Sequence, residues 1–242
     1  MTQTIYLVRH GLRQDHEDYG VEGARVREEQ DPSLSARGHK QAQEFTQLMQ
    51  KTQVRHIFCS PFLRCLQTAA PVAHERELLI KVESGLMEAM IEFTSMPRVG
   101  FLHGEVGEFP VDPGYRSLCC PEFPESLDET FRRAGRVTVK LANTYQGDLI
   151  ILGHEYTVIA GTRALLEESA STLPLGCPPT GIFKLRRNLD GLGGWEMVKN
   201  ADISHLSEPF EAFRGMESTE VQLWLGYHGL SSLDELKAKE QC

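Results

Sequence analysis

Short apolar runs punctuate this chain, with Ile5-Tyr6-Leu7-Val8 and Leu149-Ile150-Ile151-Leu152 the clearest, and longer segments of helical spacing separate them. An apolar run without polar alternation predicts a strand covered on both faces. The pattern predicts strands over 4–8, 54–59, 79–82 and 148–152. A closing hairpin is predicted from 181–185 and 195–198 across Asn188-Leu189-Asp190-Gly191. Helical spacing predicts 35–51, where Ala36, Ala42, Phe45, Leu48 and Met49 share a face, and 126–145, where Ser126 and Glu129 match a capping box. Two further helices are predicted. One is entered through Ser60-Pro61 and runs to about residue 77, with serine as a cap and proline in the first turn. The other spans 158–166.

Alternating strands and helices predict an α/β three-layer sandwich with a mostly parallel central sheet. Two segments break the alternation. Residues 12–32 are polar and read as a long loop. Residues 89–122 are rich in Gly, Pro and aromatic side chains and read as an inserted lid, since loops of this length are usually functional. The domain is expected to span 1–200, with 201–242 as a C-terminal extension that packs on it or binds a partner.

The net charge is −9, which argues against general nucleic-acid binding but leaves room for a local anion pocket. No apolar stretch is long enough to span a bilayer, and the N-terminus lacks signal-peptide character. A cytoplasmic protein is expected. Six cysteines without zinc-type spacing read as reduced thiols.

Chemistry concentrates at strand ends. His10 follows the first strand and His154 follows the fourth, so both should meet in the crevice beyond the carboxyl edge of the sheet. Phosphoryl transfer through histidine needs a neutral imidazole as nucleophile, fixed cations for the equatorial oxygens, and an acid for the leaving oxygen. His10 is the candidate nucleophile. Arg9, Arg13 and Arg64 are candidate phosphate donors, and His154 is a second imidazole for the phosphoryl oxygens. Glu88, just past the third strand, is the candidate acid, expected to be held protonated in a partly apolar pocket. A His-based metal site is the chemical rival, and the chain shows no His-x-His or His-Glu-x-x-His. No metal and no cofactor are expected.

These blocks resemble the histidine phosphatase (phosphoglycerate mutase-like) superfamily. The resemblance covers most of residues 4–200 and is carried by Leu7-Val8-Arg9-His10-Gly11, by Asp31 to Gly38 with Gln41-Ala42, by Cys59 to Ala69, by Gly85-Leu86-Met87-Glu88 and by Gly153-His154. It is nearest to the suppressor of T-cell receptor signalling and ecdysteroid-phosphate phosphatase type. It implies a phosphohistidine at His10, phosphate held by Arg9, Arg13, Arg64 and His154, and Glu88 as acid. Leu12 stands where that type has glutamate, Glu155 follows the second histidine, and Ala89-Met90 stand where a tryptophan is found. The expected activity is a phosphomonoesterase acting on a phosphorylated small molecule or a phosphoprotein. The aromatic and methionine content of 89–122 favours phosphotyrosine or another ester with an apolar portion. A phosphoglycerate mutase or sugar-bisphosphate phosphatase is one alternative, and a catalytically weak phospho-ligand binding module is another.

Overall fold

The computed structural model describes residues 2–17, 30–89, 91, 93–104, 108–167, 176–188, 194–213 and 218–240. Six strands form one sheet: β1 (Thr4–Arg9), β2 (Val54–Cys59), β3 (Ile80–Val82), β4 (Asp148–Gly153), β5 (Ile182–Arg187) and β6 (Trp195–Asp202), in the order β3-β2-β4-β1-β5-β6. The β1–β4, β2–β4 and β2–β3 pairings are parallel, and β5 and β6 close the sheet antiparallel. The α/β class with a mostly parallel sheet is as the sequence predicts.

Alternation along each strand builds two cores. Ile5, Leu7, Leu149 and Ile151 face one side, with Val137 and Leu141 of α4 (Leu127–Thr144) and Val158 and Ile159 of α5 (Glu155–Leu166). Tyr6, Val8, Ile150 and Leu152 face the other, with Phe45 and Met49 of α2 (Ala36–Met49) and Leu66 and Val72 of α3 (Leu63–Glu75). Each apolar run thus serves both layers, which is why it shows no polar alternation. The C-terminal residues Val221, Trp224, Leu225 and Leu230 are buried in the first core, and Trp224 Nε1 donates to Ala201 O at 3.0 Å. Among the described residues no helix is long and apolar enough to cross a membrane.

Several boundaries differ from the sequence reading, each for a local reason. Within the predicted 12–32 loop, Gln14–Glu17 make one helical turn (α1), and residues 18–29 lie outside the described residues. The helix after β2 starts at Leu63 rather than at Ser60-Pro61, and Phe62 is its cap residue without a side-chain bond. Ser60 does not cap, because its hydroxyl turns to His154 Nε2 at 2.9 Å. The helix after β4 starts at Glu155, three residues before the prediction, because the Thr157 hydroxyl bonds both the N–H and the carbonyl of His154 and organises the first turn. The hairpin strands extend further than predicted, to Arg187 and Asp202. Residues 189–191 of its expected turn lie outside the described residues. The Ser126–Glu129 capping box is present as read.

The insertion adds a short 3₁₀ helix (Gly100–His103) and a bridge from Val111 to Ile80. Its Phe93, Phe101 and Phe109 pack against the second core.

Candidate active site

The register of the sheet sets the site. Arg9 pairs with Gly153 across parallel strands, and His10 N–H donates to Gly153 O at 3.0 Å. The residues after that pair, His10 and His154, therefore leave adjacent strand ends side by side, with ring centroids 5.2 Å apart. On the far side of β4, Ser60 N–H donates to Leu152 O, which brings the start of α3 and Arg64 to the same edge. Gly11 allows the chain to turn away at close quarters, since a Cβ there would lie 2.7 Å from Gly38 O.

His10 is almost fully buried. Its Nδ1 lies 2.7 Å from Gly11 O and donates to that carbonyl, leaving Nε2 as the lone-pair nitrogen. Burial, reinforced by the Arg64, His154 and Arg9 charges, holds its pKa well below the ordinary 6.5. The imidazole is thus neutral, as a nucleophile must be.

His154 is fully buried at the N-terminus of α5. Its Nδ1 lies 3.1 Å from Arg64 Nη2 and 3.3 Å from Glu88 Oε2, and Cys65 Sγ is 3.6 Å from Nε2. Burial disfavours its charge, but the Cys65 thiolate and the Glu88 carboxylate outweigh burial and raise its pKa. Burial alone would raise the Cys65 thiol. The Cys59 hydrogen bond and the His154 and Arg64 charges instead bring it down to about 5.

Arg64 is buried, with its guanidinium 4.4 Å over the Phe62 ring. Asp31 Oδ1 is 3.8 Å from Nη1, too long for a hydrogen bond, and among the described residues neither Nε nor Nη1 has a hydrogen-bond partner. Buried donors left in this way mark a group shaped for something that binds. Asp31 itself accepts from Leu63 N–H at 2.8 Å and Gly100 N–H at 3.0 Å, tying the insertion to the start of α3.

Glu88 lies at the mouth, a quarter exposed. Partial burial pushes its carboxyl up, but His154, Arg64 and the Ala89 N–H bring it down to about 2. The expectation of a glutamate held protonated by an apolar pocket is therefore corrected. Its surroundings are cationic, and the side chain is ionised in the ligand-free protein.

The other two arginines carry carboxylates. Arg9 Nη1 donates to Glu155 Oε2 at 2.6 Å and to Cys177 O at 2.7 Å, and Cys177 N–H closes the loop onto Glu155 Oε1. Arg13 pairs with Asp15 through Nε at 2.9 Å and Nη2 at 2.5 Å. Leu12 is fully buried. The sequence reading missed the Glu155–Arg9 pair, the Ser60 and Cys65 contacts to His154, and His16, whose pKa is lowered to about 4 by burial and by Arg13, with further contributions from Arg9 and Arg64. The short spacing of His16 from His10 was the one available signal. An expected outcome follows: Glu155→Gln should lower the inhibition constant for phosphate about tenfold, the factor that about 1.4 kcal/mol of charge relief gives. Unchanged inhibition would show that Glu155 orients Arg9 without neutralising it.

Among the described residues, His10, Glu88 and His154 are the group that could hold a metal, their donor atoms all lying within 4.8 Å of one another. Arg64 Nη2, 3.1 Å from His154 Nδ1 and 3.8 Å from Glu88 Oε2, places a fixed cation where such an ion would sit. The donor set suits an oxyanion better.

Two imidazoles and a buried guanidinium meet at the carboxyl edge of a sheet of phosphoglycerate mutase-like fold, an arrangement suited to holding a phosphoryl group. The chain matches the profile "Histidine phosphatase superfamily (branch 1)" over residues 5–202 and belongs to that family. It is similar to the ubiquitin-associated and SH3 domain-containing protein A of Mus musculus, 33% identical over 183 residues, which are 68% of this chain and 28% of that protein. It is also similar to the ecdysteroid-phosphate phosphatase of Drosophila melanogaster, 28% identical over 48% of this chain and 17% of that protein. The matched part is thus under a third of either relative. The ecdysone phosphate phosphatase of Bombix mori in complex with tungstate shares the fold, with a TM-score of 0.63 at 21% identity over 82% of this chain and 93% of that one.

Proposed function

We propose that the protein hydrolyses phosphate monoesters through a phosphohistidine at His10. The observation that carries this reading is the oriented His10 imidazole, 5.2 Å from His154 and close enough to the buried Arg64 for that charge to help keep it neutral. In the proposed first step, His10 Nε2 forms a bond to phosphorus as the bond to the ester oxygen breaks. Arg64 and His154 stabilise the equatorial oxygens, with Arg9 and Arg13 beside them. Glu88 gives a proton to the departing oxygen. In the second step a water oxygen bonds to phosphorus as the His10 Nε2–phosphorus bond breaks, Glu88 takes the water proton, and phosphate leaves.

The ionised resting state of Glu88 is compatible with this role. A bound phosphate engages the cations that hold the carboxyl pKa down and adds negative charge beside it. Both changes raise that pKa on binding. The acid form is then a property of the complex.

The substrate is proposed to be a phosphate ester with an apolar portion. The similarity to an ecdysteroid-phosphate phosphatase supports this, as does Ile91, which is half exposed three residues beyond Glu88. The carboxylates on Arg9 and Arg13 favour a second reading, a phospho-ligand binding module with weak catalysis. Phosphate release from p-nitrophenyl phosphate in the presence of EDTA separates the two. Release with an acid-labile phosphoenzyme supports hydrolysis through His10, and binding without release supports the module. In the same assay Glu88→Gln should cost on the order of 100-fold with an alkyl ester, where a proton is needed, and only a few-fold with p-nitrophenyl phosphate. Equal losses would remove Glu88 as the acid.

A further inference from the structure

The loop that presents Glu88 is held from beneath by an arginine that the reaction itself does not use. Arg133 of α4 is buried, as is Glu125 just before that helix. Arg133 Nε donates to Glu125 Oε1 and Nη2 to Glu125 Oε2, both at 2.6 Å, in a two-pronged pair. The remaining donors turn to one short stretch of backbone. Nη1 donates to Gly85 O at 2.8 Å and Met87 O at 3.1 Å, and Nη2 to Glu88 O at 3.4 Å. A guanidinium has five N–H groups in a fixed plane, and here each has an acceptor. Thr130 Oγ1 also donates to Glu125 Oε2 at 2.9 Å, so the carboxylate is fixed as well.

A buried ion pair is a weak source of stability, because desolvation offsets its attraction. What this pair supplies is geometry. Three carbonyls across residues 85–88 converge on one rigid fork, and the last belongs to Glu88. Its side chain then reaches 3.3 Å from His154 Nδ1 on the opposite side. On the other flank of the loop, buried Glu83 accepts from Gly85 N–H at 2.8 Å and Tyr115 Oη at 2.6 Å. The segment is therefore fixed at both ends, with Arg133 at the end that carries the carboxylate.

We propose that Arg133, locked by Glu125, is a positioning residue that sets the reach of the Glu88 carboxylate toward the leaving-group oxygen. This rests on Glu88 being the acid, as proposed above. A proton donor displaced by about 1 Å loses on the order of 100-fold in rate. The loss falls on substrates that need the proton and spares those that do not.

The test is a series of phosphate esters with leaving groups from dinitrophenol to an alkyl alcohol, assayed with the parent, Arg133→Met, Arg133→Lys, Glu125→Gln, Glu88→Gln and the Arg133→Met/Glu88→Gln double variant. Arg133→Met should lose about 100-fold in kcat with the alkyl ester and only a few-fold with the dinitrophenyl ester. KM and inhibition by tungstate should stay unchanged. The double variant should be no worse than Glu88→Gln alone, because both act through one group. Uniform losses across the series, or additive losses in the double variant, would overturn the proposal. If Arg133→Met does not fold, Arg133→Lys and Glu125→Gln, which retain part of the hydrogen bonding, carry the same comparison. A flat profile for Glu88→Gln would show that Glu88 is not the acid, and the proposal would fall with that reading. A steep profile for Glu88→Gln with a flat one for Arg133→Met would overturn the positioning role alone.

Discussion

His10→Ala is expected to reduce turnover by at least about 10⁴-fold, since a covalent nucleophile has no substitute in its own step. The fold should survive. Among the described residues the imidazole makes one hydrogen bond, from Nδ1 to Gly11 O, and such a bond is worth about 1 kcal/mol. The variant should still bind tungstate, because Arg64 and His154 are untouched, and it should form no acid-labile phosphoenzyme. Turnover persisting near the parent rate would end the phosphohistidine mechanism. The pH dependence adds a check. Because the His10 pKa lies well below 6.5, the nucleophile is in its reactive form through mildly acidic pH. The acid limb of kcat/KM should therefore not set in at the ordinary imidazole value. His154 is shifted the opposite way and keeps its proton to higher pH, so its loss of charge belongs to the alkaline limb. The sign for stability is also fixed. The unfolded chain binds the His10 proton more readily than the folded one, so this group's contribution is full above pH 6.5 and declines as pH falls below it. Urea midpoints at pH 7 and 5 for the parent and His10→Ala measure that difference.

Arg64→Ala is expected to cost on the order of 10²–10³-fold in kcat/KM, the scale of a lost donor to transition-state charge. Of the three arginines, Arg64 is the one whose Nε and Nη1 lack hydrogen-bond partners among the described residues, whereas Arg9 and Arg13 are already joined to Glu155 and Asp15. Its guanidinium also lies beside both His154 Nδ1 and Glu88 Oε2, so its removal frees the carboxylate from one of the charges that lower its pKa. Arg64→Lys should recover only part of the loss, because an ammonium keeps the charge but not the planar fork. Steady-state kinetics with tungstate inhibition across both variants makes the comparison. A loss in Arg64→Ala no greater than in Arg9→Ala would show that the unpaired donors are not the main anion contact.

The strand ends were legible in the sequence because they depend on short-range pattern. An apolar run, then histidine, occurs twice, and parallel pairing of those runs leaves little freedom in where His10 and His154 emerge. Arg64 was legible because it sits one turn past a strand end. The protonation state of Glu88 was not. An apolar pocket and a cationic one look alike in the local sequence around residue 88, and the residues that decide between them, Arg64 and His154, come from other elements.

By itself, then, the order of residues determined the α/β layering, the two imidazoles at one sheet edge, the arginine beside them and the family. Folding alone decided how the charges pair. Glu155 meets Arg9 across 146 positions of chain and Arg133 reaches the carbonyls of residues 85–88 across 45 or more, and each pairing draws its strength from burial that exists only once the layers have closed.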